Sequence, residues 1–155
     1  MTHEICSEPR GATYHRLLQW CGRRSATVLL VCRPTIPTAD SALQLLGNLA
    51  PFKLRRSQQS QWPGTELLDD TAEVFEYRVD DDLLQVLHPA GDRLYCWTQP
   101  ALPEDLCFLK RDGSTLLETI SHERAGYLRL DASSLLSLRE AVPLLRVKAL
   151  ASMAD

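Results

Sequence analysis

The chain is 155 residues long, 45% hydrophobic and 24% charged, values typical of one globular domain rather than a disordered or fibrous chain. The longest unbroken apolar run, Val28–Cys32, is far shorter than the roughly 20 residues that a membrane-spanning helix needs. The first residues lack the basic and apolar segments of a signal peptide, and the net charge at pH 7 is only -3. We therefore expect a single domain over residues 1–155, located in the cytoplasm and without a membrane partner.

The first third of the chain predicts a helix, a buried strand and a second helix. Ser7 is a suitable N-cap for a helix over Glu8–Cys21, which has apolar residues at i, i+3, i+4 and i+7 and is followed by Gly22. The run Ala26–Cys32 is rich in β-branched and apolar residues on both faces, which is typical of a strand in the middle of a sheet. Helical spacing of apolar residues returns over Thr38–Leu49 and predicts the second helix.

The middle of the chain combines polar connections with one strand and one short helix. Residues Phe52–Gln61 are polar and extended, and this leaves an edge strand and an exposed loop as open alternatives. Trp62–Thr65 has the composition of a turn, and Thr71–Val79 has the composition of a strand. Asp80 is placed to cap a short third helix.

The last third of the chain gives the clearest supersecondary signal. Two short strand-like runs, Leu106–Lys110 and Leu116–Ser121, flank an Asp-Gly pair, which predicts a β-hairpin. Tyr127–Leu130 extends this hairpin into a meander, and a final helix follows from a cap at Asp131 or Ser133. The expected fold class is therefore α+β, with a mainly antiparallel sheet of about five strands and three to four helices.

The sequence contains none of the common motifs of catalytic and cofactor sites. Its glycines form neither a phosphate-binding loop nor a nucleophile elbow, and its five cysteines include no C-x-x-C pair. We therefore expect no cofactor, no metal site and no catalytic residue. One alternative stays open, because Cys107, His122 and Glu123 belong to or follow the paired strands and could serve a small hydrolase or transferase. The apolar neighbours of Cys107 argue against it, since they favour the uncharged thiol.

Charge is distributed unevenly along the chain. Residues 1–60 carry a net charge of +5, residues 61–125 carry -9 and residues 126–155 carry +1. An acidic surface speeds the encounter with a basic protein and repels nucleic acid. The middle part therefore predicts a protein-binding face, with Trp97 as its aromatic anchor. The carboxylates that we assign to this face are Asp80, Asp81, Asp82, Glu104 and Asp105.

The basic first part supports a second alternative, a nucleic-acid-binding module. Its candidate phosphate contacts are Arg23, Arg24, Arg33, Lys53, Arg55 and Arg56. These side chains belong to different predicted elements and match no motif of a nucleic-acid-binding fold. We therefore expect a protein partner rather than nucleic acid.

Part of the chain resembles a pattern found in uncharacterised small bacterial α+β proteins. The pattern is carried by Leu102–Leu109, by Asp112-Gly113 and by Ile120–Glu123, and it reaches back to Trp62–Thr65, which is about a third of the chain. In size, acidity and α+β make-up the chain is also similar to immunity proteins of bacterial toxin systems. This resemblance implies a non-catalytic cytoplasmic inhibitor that occludes a basic toxin domain, and it assigns no catalytic residue.

Overall fold

The computed structural model describes residues 1–151, which form four α-helices and ten β-strands. The helices are α1 (Gly11–Arg23), α2 (Asp40–Leu49), α3 (Asp81–Leu87) and α4 (Ala132–Ala141). The strands are β1 (Thr2–Ile5), β2 (Thr27–Cys32), β3 (Lys53–Gln59), β4 (Gln61–Trp62), β5 (Thr65–Glu66), β6 (Ala72–Arg78), β7 (Glu104–Leu109), β8 (Thr115–Ile120), β9 (Ala125–Arg129) and β10 (Val147–Ala149).

Eight of these strands form one antiparallel sheet in the order β10-β1-β9-β8-β7-β2-β6-β3. The strands β4 and β5 form a separate two-stranded hairpin whose turn contains Pro63 and Gly64. Gly64 has a φ of +89°, a backbone conformation that glycine adopts without a steric penalty. The hairpin therefore closes tightly and returns the chain to the sheet.

Buried side chains form two apolar clusters, one on each face of the central strand β2. Val28 and Leu30 belong to the larger cluster, to which all four helices contribute. Leu29 and Val31 belong to the smaller cluster, in which Trp62 of the β4–β5 hairpin packs against the sheet. Because successive side chains of a strand point to opposite faces, β2 is covered on both sides, as its unbroken apolar run predicts.

Most local predictions from the sequence are confirmed. The four helices are present, although α1 begins at Gly11 with Arg10 at the N-cap position, rather than at Glu8 with Ser7 as its cap, and Gly22 lies inside it. The predicted hairpin is β7–β8, and β9 continues it as a meander. Asp80 and Asp131 cap α3 and α4, since each carboxylate accepts a 2.8 Å hydrogen bond from the backbone N–H three residues later. The polar segment before Trp62 is an edge strand, β3, rather than a loop.

The expected number of strands, about five, is wrong, because the main sheet has eight. The strands absent from the prediction are β1 and β10, while β3 was one of two open alternatives. β1 has four residues and β10 has three, so neither is long enough to show a clear alternation of apolar and polar positions. β1 lies between β9 and β10, so its partners come from the other end of the chain and leave no local signal.

Candidate functional site

A buried polar cluster lies where β7 enters the sheet, and it contains two of the carboxylates assigned to the acidic face. Glu104 and Asp105 are 3% and 0% exposed. Asp105 has a φ of +56°, in the left-handed region that few residues other than glycine, asparagine and aspartate adopt. Such a backbone conformation inside a strand requires support from the surrounding contacts.

The side chain of Asp105 connects three segments that are distant in the sequence. Its Oδ1 accepts a 3.0 Å hydrogen bond from the backbone N–H of Ser121, and its Oδ2 accepts a 3.1 Å bond from Nε1–H of Trp62. The guanidinium of Arg33 lies 3.7 Å from Oδ2. Asp105 therefore fixes the β4–β5 hairpin and the turn after β8 against the start of β7.

Glu104 is held from the other side by the loop that precedes β7. Its Oε1 accepts a 3.1 Å hydrogen bond from the backbone N–H of Gln99, and its Oε2 lies 3.8 Å from Nε of Arg33. Burial raises the pKa of the Glu104 carboxyl and the adjacent charge of Asp105 adds to this, while the hydrogen bond from Gln99 and the charge of Arg33 lower it. The protonated form is thus favoured more than it is in a solvated glutamate.

The amide side chain of Gln99 clamps the loop that follows β2. Its Oε1 accepts a 2.7 Å hydrogen bond from the backbone N–H of Arg33. Its Nε2 lies within 3.2 Å of the backbone oxygens of Arg33 and Ile36 and of the hydroxyl of Thr38. Most polar atoms of the cluster already have a partner in another segment of the protein. The cluster therefore holds the loops around the start of β7 in place.

The cluster also has part of the geometry of a cation site. One ligand atom each from Glu104, Asp105 and His122 lies within 4.8 Å of the others. Arg33 already brings a positive charge next to both carboxylates, and both oxygens of Asp105 accept hydrogen bonds. Since a metal ion would have to compete with this guanidinium, the donor set fits a structural ion-pair cluster better than a metal centre.

The thiol of Cys107 lies in surroundings that suppress nucleophilic chemistry. Cys107 is fully buried, its Sγ lies 3.2 Å from the backbone oxygen of Asp105, and burial raises its pKa to about 12. His122 is exposed, with Nε2 3.9 Å from the carboxylate of Glu123. Within residues 1–151 no hydrogen bond joins Cys107 to His122, so the structure does not form the base-activated thiol that the enzyme alternative requires.

Half of the residues assigned to the partner-binding face lie in the interior. Trp97 is 0% exposed, and its Nε1–H donates a 3.0 Å hydrogen bond to the hydroxyl of Tyr14, so the residue expected to be an anchor is a core residue. Glu104 and Asp105 are buried as described above. Only Asp81 and Asp82 are fully on the surface, and Asp80 is half-buried beside them as the helix cap.

Three arginines of the basic first part pair with carboxylates of the acidic middle part in the fold. β3 and β6 are neighbours, and Arg55 forms a 2.7 Å ion pair with Glu76 across them. Arg56 pairs with Glu73 in the same way. Together with the contacts of Arg33, these pairs remove much of the charge asymmetry that the sequence shows.

Sequence reasoning missed the role of the residues that organise the polar cluster, since it named Arg33 only as a candidate phosphate contact. Arg33, Gln99 and Ser121 carry no motif, and their contacts join segments that are 66 and 16 residues apart. The only sequence signal is the pair of acidic residues at the start of a strongly apolar strand, since buried carboxylates need partners.

Comparison with known proteins finds no matching family model, no matching curated protein and no matching solved structure. Among residues 1–151, no helix combines the length and the apolar character that crossing a membrane requires.

Proposed function

We propose that this chain is a non-catalytic binding protein that inhibits a partner protein by covering it, in the manner of an immunity protein that occludes a basic toxin domain. The buried polar cluster supports this proposal indirectly. Its carboxylates hold loops in place, and the neighbouring thiol of Cys107 is buried with a raised pKa, so the cluster does not form an open reaction site. A binding function then depends on the groups that remain exposed.

The single observation that carries the proposal is the exposed acidic start of α3. Asp81 and Asp82 are both exposed, and neither forms an ion pair within residues 1–151. The helix beneath them is fixed, because Asp80 accepts the backbone N–H of Leu83 and the apolar face of α3 is buried. Two carboxylates on a fixed helix start lose little conformational entropy when they meet a cationic surface.

Electrostatic attraction gives these carboxylates a kinetic role. Exposed charges of opposite sign steer two proteins together and raise the association rate about ten- to a thousandfold at low salt. Occlusion then follows from the bulk of the folded domain, which prevents substrate from reaching the covered surface. Asp81 and Asp82 thus set the rate of inhibition, while contacts around them set its lifetime.

The test is a double charge reversal, Asp81→Lys with Asp82→Lys. A matched control reverses two exposed carboxylates elsewhere, Glu66→Lys with Glu123→Lys, and changes the net charge equally. A partner is identified by affinity purification from the native host, and its toxicity on expression is measured with and without this protein. We expect the wild type and the control to neutralise toxicity and to associate rapidly in stopped-flow mixing.

The α3 variant should associate at least tenfold more slowly at low salt, with a weaker dependence on salt concentration. Lysine at a helix start is mildly destabilising. Circular dichroism of the variant therefore serves as the control that it remains folded. Equal association rates for the α3 variant and the control would remove α3 from the interface. A purified partner with no toxicity would refute the immunity function itself.

The geometry gives the two other sequence hypotheses less support. Arg33, Arg55 and Arg56 are committed to ion pairs, so the basic first part does not form one continuous phosphate-binding surface.

For the thiol enzyme, alkylation is the decisive measurement. We expect an alkylating reagent at neutral pH to modify exposed Cys6 rapidly and Cys107 only after denaturation, and rapid modification of native Cys107 would revive the enzyme hypothesis.

A further inference from the structure

A groove lies between α1 and α4, on the surface that these two helices share. Its volume is about 590 Å³. It is lined mainly by Arg16, Gln19, Trp20, Arg23, Arg24 and Ser137. The groove lies apart from the buried polar cluster, whose residues do not contribute to its lining.

The charged residues that line this groove are all basic. Arg16, Trp20 and Arg23 are spaced at i, i+4 and i+7 on α1, so they form one stripe along the helix. No carboxylate is among the lining residues. Within residues 1–151 neither Arg16, Arg23 nor Arg24 lies within 4.0 Å of a carboxylate oxygen, so the three guanidinium groups lack the ion pairs that neutralise Arg33, Arg55 and Arg56.

One corner of the groove is organised before any ligand arrives. The indole Nε1–H of Trp20 donates a 3.1 Å hydrogen bond to Oγ of Ser137, and the guanidinium of Arg24 donates to the same oxygen. The guanidinium also lies over the ring of Trp20, 4.8 Å from its centroid. Stacking and hydrogen bonding therefore fix the orientation of Arg24, which reduces the entropy that ligand binding would cost.

The same corner can only donate hydrogen bonds. Because Oγ of Ser137 accepts from both Trp20 and Arg24, the hydroxyl is left with its own proton to donate, and within residues 1–151 the structure shows no hydrogen bond that this proton makes. Arginine has donors and no acceptor. The groove thus presents one oriented guanidinium, two further arginines and a hydroxyl donor, with no carboxylate among its lining residues, which is the complement of an oxyanion.

We propose that this groove binds a phosphate group, either as free phosphate or as the phosphate monoester of a small molecule. A phosphate offers three terminal oxygens in different directions, which suits several arginine donors and a hydroxyl better than the two coplanar oxygens of a carboxylate. A volume of about 590 Å³ also leaves room for the rest of a small ligand. The proposal goes beyond the protein-binding function and does not depend on it, since α3 contributes nothing to the lining.

Isothermal titration calorimetry tests the proposal with inorganic phosphate, ribose 5-phosphate, unphosphorylated ribose and a short single-stranded oligonucleotide. The titrations are made in about 0.15 M NaCl, where diffuse attraction between exposed charges is screened. We expect saturable binding of one phosphate or ribose 5-phosphate per chain and none of ribose. A higher affinity for ribose 5-phosphate identifies a monoester ligand, and equal affinities identify free phosphate.

Two variants locate the site. Arg24→Ala removes charge-assisted hydrogen bonds and should weaken binding about tenfold or more. Ser137→Ala should weaken it about three- to tenfold, while Arg139→Ala on the same helix α4, outside the groove lining, should leave it unchanged. Absence of phosphate binding by the folded wild type, equal losses in all three variants, or tighter binding of the oligonucleotide would each overturn the proposal.

Discussion

Asp105 shows how one side chain determines the local course of the backbone. Its carboxylate satisfies the indole N–H of Trp62 and the backbone N–H of Ser121, both in the interior, where an unpaired donor is costly. In return, these bonds and the nearby charge of Arg33 hold Asp105 in the left-handed conformation. The residue acts as a junction between the hairpin, the turn and the sheet.

Replacing Asp105 should therefore destabilise the fold by an amount that depends on the substitute. Asp105→Ala leaves two buried donors without an acceptor and places alanine at positive φ, so we expect a loss of about 3 kcal/mol or more. Asp105→Asn keeps one acceptor oxygen and tolerates this backbone conformation, so we expect about 1–2 kcal/mol. Urea denaturation measures both values. Equal losses would show that the hydrogen bonds to Asp105 contribute little.

Glu104 should make stability depend on pH. Its pKa is raised in the folded protein, chiefly by burial, so the protein gains stability from this group when it is protonated at low pH and loses it as the pH rises through the raised pKa. Glu104→Gln mimics the protonated form. Urea denaturation from about pH 4 to about pH 7 should therefore show the variant becoming more stable relative to the wild type. If the difference in unfolding free energy between the variant and the wild type did not change with pH, the charge of Arg33 and the hydrogen bond from Gln99 would compensate fully for the burial of Glu104.

At the scale of the element, local signals explain why the helices and the β7–β8 hairpin could be predicted. A capping carboxylate, an apolar stripe and an Asp-Gly turn each act within a few residues, and the structure contains all three. β3 was ambiguous because its side chains are largely exposed at the edge of the sheet. β1 and β10 could not be predicted, because such short strands form only when distant partners are in place.

The cap of α3 offers a prediction with a matched control. Asp80→Ala removes the acceptor for the N–H of Leu83 and should cost about 1 kcal/mol, within the usual range of 0.5–2 kcal/mol for such a change. Asp81→Ala removes a neighbouring exposed carboxylate that caps nothing and should cost only a few tenths of a kcal/mol. Thermal or urea denaturation of both variants distinguishes capping from a general charge effect, which would give similar losses.

At the scale of the whole molecule, the charge pattern of the sequence proved misleading. One strand of the basic first part, β3, lies next to one strand of the acidic middle part, β6, where Arg55 and Arg56 meet Glu76 and Glu73. A one-dimensional charge count carries no information on which strands become neighbours. Of the residues assigned to the candidate site, the sequence correctly predicts the cap of α3 at Asp80, which is a local feature, whereas the burial of Trp97 depends on distant contacts and was not predicted.

The order of the sheet predicts an unequal response to truncation at its two ends. Deleting residues 1–5 removes β1 with buried Ile5 and separates β10 from β9, so we expect a loss above about 2–3 kcal/mol. Deleting residues 147–155 removes the three-residue β10 and leaves β1 as the new edge, so we expect a loss near 1 kcal/mol. Urea denaturation compares the two forms. A larger loss from the second deletion would contradict the edge position of β10.

The place of β2 between β6 and β7 has a consequence for synthesis on the ribosome. Synthesis proceeds from the N-terminus, so β2, a continuously apolar strand, is made before both of its neighbours, β6 and β7. β1 waits still longer, since it pairs with β9 and β10. Until β6 and then β7 have been made and have paired with it, β2 is therefore an exposed apolar strand, and we expect a chaperone that binds extended apolar segments to bind Thr27–Cys32.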